Sequence, residues 1–173
     1  MLIPANLELL VGNGWYYLGP AASNGAKDKA GFIVKELTNH NSTFKALGEI
    51  DWKQVWDNKG SGNSSDYSLW RGIPKDEVNY VVVGGFFVRS HSKPTSGDAV
   101  GMRAIHRDLI LTVKPGEEVW NDAGSKAKED GAVWSISTAG NLDALDTGAF
   151  VPVKGHNHPP SDTYAINRLK VEM

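Results

Sequence analysis

The stretch at 55–70, VWDNKGSGNSSDYSLW, returns 64 residues later at 119–134 as VWNDAGSKAKEDGAVW. Without a gap, Val55 falls on Val119, Trp56 on Trp120, Gly60-Ser61 on Gly124-Ser125, Asp66 on Asp130 and Trp70 on Trp134. Tryptophan is rare, so two pairs with one spacing mark a duplicated unit. A Trp, a polar loop and a second Trp read as a β-hairpin. A chain of repeated hairpins must bury one face of each against its copies.

The duplication continues past the tryptophans. YVVVGGFF at 80–87 is answered by DALDTGAF at 143–150, and each leads into a polar, proline-containing loop closed by an aspartate, Asp98 and Asp162, again 64 apart. Ala104-Ile105-His106-Arg107 then matches Ala165-Ile166-Asn167-Arg168 at a spacing of 61, so an insertion or bulge lies between. A weaker third copy opens the chain: Trp15-Tyr16-Tyr17-Leu18-Gly19, a loop ending at Asp28, then Lys35-Glu36-Leu37, which resembles Arg107-Asp108-Leu109.

Helical periodicity is almost absent. Short runs rich in Val, Ile, Trp, Tyr and Phe, bounded by Gly, Pro, Asn, Asp and Ser, are strand signals. They predict strands at 7–11, 14–18, 31–37, 45–52, 53–56, 67–70, 79–88, 100–113, 118–120, 132–136, 144–153 and 163–171, with any helix a single turn. The expectation is one all-β domain over 1–173, in units of roughly 14–70, 79–136 and 143–173. The last unit would be completed by 1–13 pairing back onto it. Three antiparallel sheets around a shared axis make a pseudo-three-fold β-prism; a two-sheet β-sandwich is the alternative and has no three-fold.

Composition narrows the function. Eighteen basic against 20 acidic residues give a net charge of −2, so no nucleic-acid footprint is visible. The absence of cysteine excludes disulfides, thiolate nucleophiles and sulfur-ligated zinc. No apolar run approaches the roughly 18 residues of a membrane span. The N-terminus lacks signal-peptide features, which points to a cytoplasmic protein or one released without a conventional signal. Asn41-Ser42-Thr43 and Asn63-Ser64-Ser65 are short acceptor patterns for glycosylation.

The span from Trp56 to Leu109 resembles the vacuolar protein sorting-associated protein sixty-two family of plants and fungi. The match lies on Trp56, Asp57, Gly60, Trp70, Pro74, Tyr80, Gly84, Lys93-Pro94 and Arg107-Asp108-Leu109. It departs where the family strand opens with Gly-Tyr, since Asn79 precedes Tyr80, and Val83-Gly84 stands for Leu-Gly. The resemblance implies a β-prism-like module; related modules stand alone or beside pore-forming domains.

Sugar hydroxyls need bidentate polar partners held on a rigid loop. The hairpin loops therefore supply the candidate ligand-binding residues Asp57, Asn58, Asp66, Asn121, Asp122 and Asp130, and the loop-closing Asp98 and Asp162 join them. The competing role for each is an ordinary turn, in which Asp or Asn bonds its own backbone. The four repeated tryptophans are read as core, with sugar-stacking platforms as the other possibility. No metal and no cofactor are expected. Lys59 sits where a calcium loop wants an acid, and His91, His156 and His158 fall in loops read as surface. His106-Arg107-Asp108-Leu109 spells a kinase tetrapeptide by coincidence, and no catalytic motif is present.

The expected function is a non-enzymatic, lectin-like module binding glycans or a glycosylated or membrane surface, in a defence- or toxin-associated setting, with repeated loops giving several weak sites. The alternative is a protein-interaction or trafficking adaptor without sugar binding. Direct lipid binding comes third.

Overall fold

The computed structural model describes residues 7–22, 32–36 and 45–173. The chain runs α1 (Leu7–Gly12), β1 (Trp15–Tyr17), β2 (Ile33–Lys35), β3 (Leu47–Gly48), β4 (Ile50–Asp57), β5 (Ser68–Pro74), β6 (Tyr80–Val81), β7 (Gly85–Val88) and β8 (Ala104–His106). It continues through β9 (Ile110–Val113), β10 (Pro115–Asn121), β11 (Gly131–Ile136), β12 (Ala144–Leu145), β13 (Phe150–Lys154) and β14 (Thr163–Asn167). Short 3-10 turns at Arg107–Leu109 and Arg168–Lys170 follow β8 and β14. The fold is all-β, in several small antiparallel sheets that do not close into a barrel.

Two sheets carry the order β4-β5-β7 and β3-β8-β6, and two others carry β10-β11-β13 and β9-β14-β12. These are the same arrangement twice, since each strand of the second pair is the sequence copy of its counterpart. Even the irregularity is copied. In β4 the pairing slips between Gln54 and Trp56, and in β10 between Glu118 and Trp120, so Val55 and Val119 are matching β-bulges. The bulge turns Trp56 to the face of its partner Leu69, whereas Gln54 lies opposite Trp70 on the other face.

The hydrogen bonds group the chain at 47–109 and 110–170, so each hairpin joins the strands that follow it. This phase differs from the units read in the sequence. The second group is completed by β9 to β11 and not by the N-terminus. Residues 1–6 lie outside the described part, and 7–12, expected as a strand, form α1. Leu7-Glu8-Leu9-Leu10 is a run of good helix formers, and Gly12-Asn13-Gly14 ends it. The Asn13 and Gly14 amides bond the Leu10 and Val11 carbonyls, and the Asn13 side chain bonds that of Leu9. The long strands expected at 79–88, 100–113 and 144–153 are each interrupted.

The first copy supplies β1–β2 and wedges between the other two. Tyr17 bridges Met102 in the second copy, and Ala21 bridges Ala149 in the third. Gly84 stands 65 places after Gly19, and Ala149 65 after Gly84; these three equivalent positions meet. A Cβ on Gly84 would lie 2.8 Å from that of Ala149, and one on Gly19 2.9 Å from it. Convergence of the copies on one point is the arrangement expected of a prism. The largest core cluster includes Leu18, Val83, Ile105, Leu145 and Ile166 from all three copies. A second gathers Tyr17, Trp70, Phe86 and Met102. A third, Trp56, Leu69, Val133 and Phe150, joins the two hairpin sheets.

Candidate functional site

The two hairpin loops are built by the same local bonds. The Asn58 amide donates to the Tyr67 carbonyl at 3.0 Å, and the Asp122 amide to that of Gly131 at 3.0 Å. Asp57 accepts from the Lys59 amide and Asn121 from that of Ala123, each at 3.0 Å. Gly60 and Gly124 both take left-handed backbone, as do Gly62 and its counterpart Lys126. Rigid loops at matching places are therefore encoded by turn chemistry repeated in the sequence.

The loops then dock on one another asymmetrically. Trp56, 4% exposed, crosses to the second loop, where its indole N–H faces Oδ2 of Asp122 at 3.1 Å and the Glu129 carbonyl at 2.8 Å. Its ring lies on Gly131, where a Cβ would meet it at 2.5 Å, and edge-on to Trp120 with centroids 5.3 Å apart. The Lys128 amide bonds the Lys59 carbonyl at 2.9 Å.

Between the loops lies a cleft of about 410 Å³. Its aromatic walls are Trp56, Trp120, Tyr67 and Phe87, the last two stacked with centroids 5.5 Å apart. Asn58, Ser61, Asn63 and Ser125 supply amides and hydroxyls. Among the described residues no charged side chain lines it.

The candidate residues separate sharply. Asn58, buried, lines this cleft. Asp57 pairs with Lys59 at 2.9 Å, and Asn121 turns to its own backbone and to Glu118. Asp66 and Asp130 are exposed at the loop ends. Asp98 accepts from the Thr95 amide and hydroxyl, which hold its carboxyl below the ordinary range. Asp162 pairs with Lys114 beside a void of about 30 Å³.

Asp122 is buried and fully engaged. Oδ1 accepts from the Gly131 amide at 2.8 Å and faces His156 Nε2 at 2.7 Å, while Oδ2 accepts from Trp56 and from Ser125 Oγ at 2.9 Å. Burial would raise its pKa, but the donors from Gly131, His156, Ser125 and Trp56 outweigh burial and hold it below the ordinary value. The Asp122 hydrogen bond raises that of His156. Asp122, Asp130 and His156 place ligand-type atoms within 4.8 Å of one another, a grouping not assembled from the sequence. With two donors on each oxygen, Asp122 serves here as the hub joining the two hairpins.

His91 and His156, read as loop residues, are tied to the hairpins at equivalent places. His91 Nε2 lies 2.7 Å from Asn58 Oδ1, as His156 does from Asp122. The available signal was their spacing of 65, one more than that of Asn58 and Asp122. Of the repeated tryptophans, Trp56 and Trp70 are buried while Trp120 and Trp134 are half-buried.

No protein-family model matches the chain, and no curated protein sequence does. Among solved structures, GNIP1Aa from Chromobacterium piscinae is similar at 24% identity with a TM-score of 0.70. The likeness takes in 90% of this chain and 31% of that one, so the chain spans about a third of its neighbour's length. It is a likeness of fold.

Proposed function

We propose that the chain is a binding module that holds an uncharged sugar in the cleft between its two tryptophan hairpins. The observation that carries this reading is the lining: four aromatic rings with amides and hydroxyls between them, and no charge among the described residues. Rings cover the C–H faces of a sugar, and neutral polar groups meet its hydroxyls without the desolvation cost of a buried ion. The volume falls within the ordinary range of small-ligand sites.

The site is single. At the places of Tyr67 and Phe87 the second hairpin sheet has Gly131 and Pro152, and Asp122 is already engaged by Trp56. The several weak sites expected from the repeat thus give way, in this reading, to one site made by both copies. The lining offers recognition without turnover, and we take the protein to be non-enzymatic. Kinship with the vacuolar sorting family is likewise a proposal, resting on the residues from Trp56 to Leu109.

Titration with methyl glycosides of glucose, galactose, mannose and N-acetylglucosamine, read by NMR of the Trp120 indole, tests the reading. One glycoside should shift that signal with a stoichiometry of one, and Tyr67→Ala should weaken it roughly tenfold through lost ring contact. No response from any neutral sugar at millimolar concentration removes the proposal.

One observation favours the adaptor reading instead. Val78 and Leu142, 64 apart, are 80% and 88% exposed on matching loops beyond β5 and β11. A partner that bound there would be lost with Val78→Ser/Leu142→Ser and would be indifferent to sugar. Among the described residues no helix is long and apolar enough to cross a membrane.

A further inference from the structure

Asn58 reaches the cleft with most of its hydrogen-bonding capacity spent. Its Oδ1 accepts from the Tyr67 amide at 2.9 Å and faces His91 Nε2 at 2.7 Å, and its Nδ2 donates to the Ser65 carbonyl at 2.7 Å. A side-chain amide has two acceptor lone pairs and two N–H donors. Both lone pairs and one donor are used, so a single N–H remains. Amide orientation is fixed by these partners, because turning the group over would set an N–H against the Tyr67 N–H and an oxygen against the Ser65 carbonyl.

We infer that His91 is a positioning residue for the cleft: by filling the second lone pair of Asn58 Oδ1 it makes Asn58 a donor only, selecting a ligand that offers an acceptor oxygen there. The inference rests on the cleft being the sugar site. Both the neutral Nε2–H form and the imidazolium of His91 can donate to Asn58. The opposite copy supplies the contrast. Asp122, at the equivalent place with His156 behind it, has no N–H to offer and takes the Trp56 indole instead.

The chemistry separates donor from acceptor roles. If Asn58 donates to a sugar hydroxyl, replacing that hydroxyl by fluorine keeps part of the acceptor, whereas replacing it by hydrogen removes the partner. For the glycoside that binds tightest, one fluoro analogue should therefore bind several-fold better than its deoxy counterpart. Asn58→Asp should abolish that difference and weaken binding by roughly tenfold or more. His91→Phe should also abolish it, and His91→Gln, whose amide can still donate to Asn58, should restore it.

Without any sugar, nitrogen spectra of the free protein at alkaline pH should show His91 protonated at Nε2 and bare at Nδ1. The reverse tautomer overturns the assignment by itself. Equal binding of fluoro and deoxy analogues at every hydroxyl, or unchanged selectivity in His91→Phe, overturns it while leaving the sugar site standing. Failure of wild type to bind any glycoside removes the sugar reading and this inference with it.

Discussion

The indole N–H of Trp56 lies 3.1 Å from the carboxylate Oδ2 of Asp122, across the boundary between two copies of one hairpin. The bulge at Val55 aims the ring there, and the carboxylate receives it because Asp122 stands where the first copy has the neutral Asn58. A hydrogen bond to a buried charged group contributes about 1.5–3 kcal/mol. Trp56→Phe and Asp122→Asn should each lower the unfolding free energy by about that amount in urea titrations. Since both remove the same bond, the double variant should lose clearly less than the two losses together; strict additivity would show that the contact adds nothing.

The same carboxylate gives stability a dependence on pH. Asp122 is held below its ordinary 3.8, so its contribution is complete above that value and fades as the pH falls through the folded value. His156 is raised above 6.5, so its contribution is complete below 6.5 and fades as the pH rises through the folded value. Melting temperature should therefore be highest between these limits and decline on both sides. His156→Gln should flatten the alkaline decline while leaving the acid one; an unchanged alkaline limb would contradict the pairing.

Lys126 is the non-glycine residue with positive φ, 62°, among those described, and its counterpart Gly62 has φ 76°. A side chain in this backbone region costs roughly 1 kcal/mol. Lys126→Gly should raise the urea midpoint by a corresponding amount, and Gly62→Ala should lower it. If Lys126→Gly destabilises, the lysine side chain is supplying more than its backbone costs.

At the meeting point of the three copies, Gly84→Ala would press a methyl group to 2.8 Å from Ala149. Overpacking of this kind costs about 1–3 kcal/mol. Calorimetry should show a lower melting temperature for Gly84→Ala, partly recovered by adding Ala149→Gly. The exposed Gly124→Ala, with nothing within 4 Å of its added Cβ, carries only the positive-φ penalty and should gain nothing from Ala149→Gly.

Much of this architecture is legible in the chain itself. The spacing of 64 lays out both hairpins, and the matches at 80–81 with 144–145 and 104–106 with 165–167 locate the strands that complete each copy. Phase is not legible, because a cyclic repeat reads alike wherever its frame begins, and only hydrogen bonds show that the β4–β5 hairpin takes the later β7 as its third strand. The helix at Leu7–Gly12 escaped because six residues hold too few turns to display a period. Among the site candidates, local turn rules account for Asp57 and Asn121. They cannot distinguish Asp122, whose role comes from a tryptophan 66 residues away.

Gly19, Gly84 and Ala149 leave the three copies no slack where they touch. Lengthening any one of them at that point would pry the other two apart, which leaves the loops as the place where the copies can differ. The three-residue difference between the matching loops that lead into β8 and β14 falls there, as does the exchange of Asn58 for Asp122. A shared pivot of this kind lets the two hairpins spend the same loop position on different bonds while both keep the same scaffold.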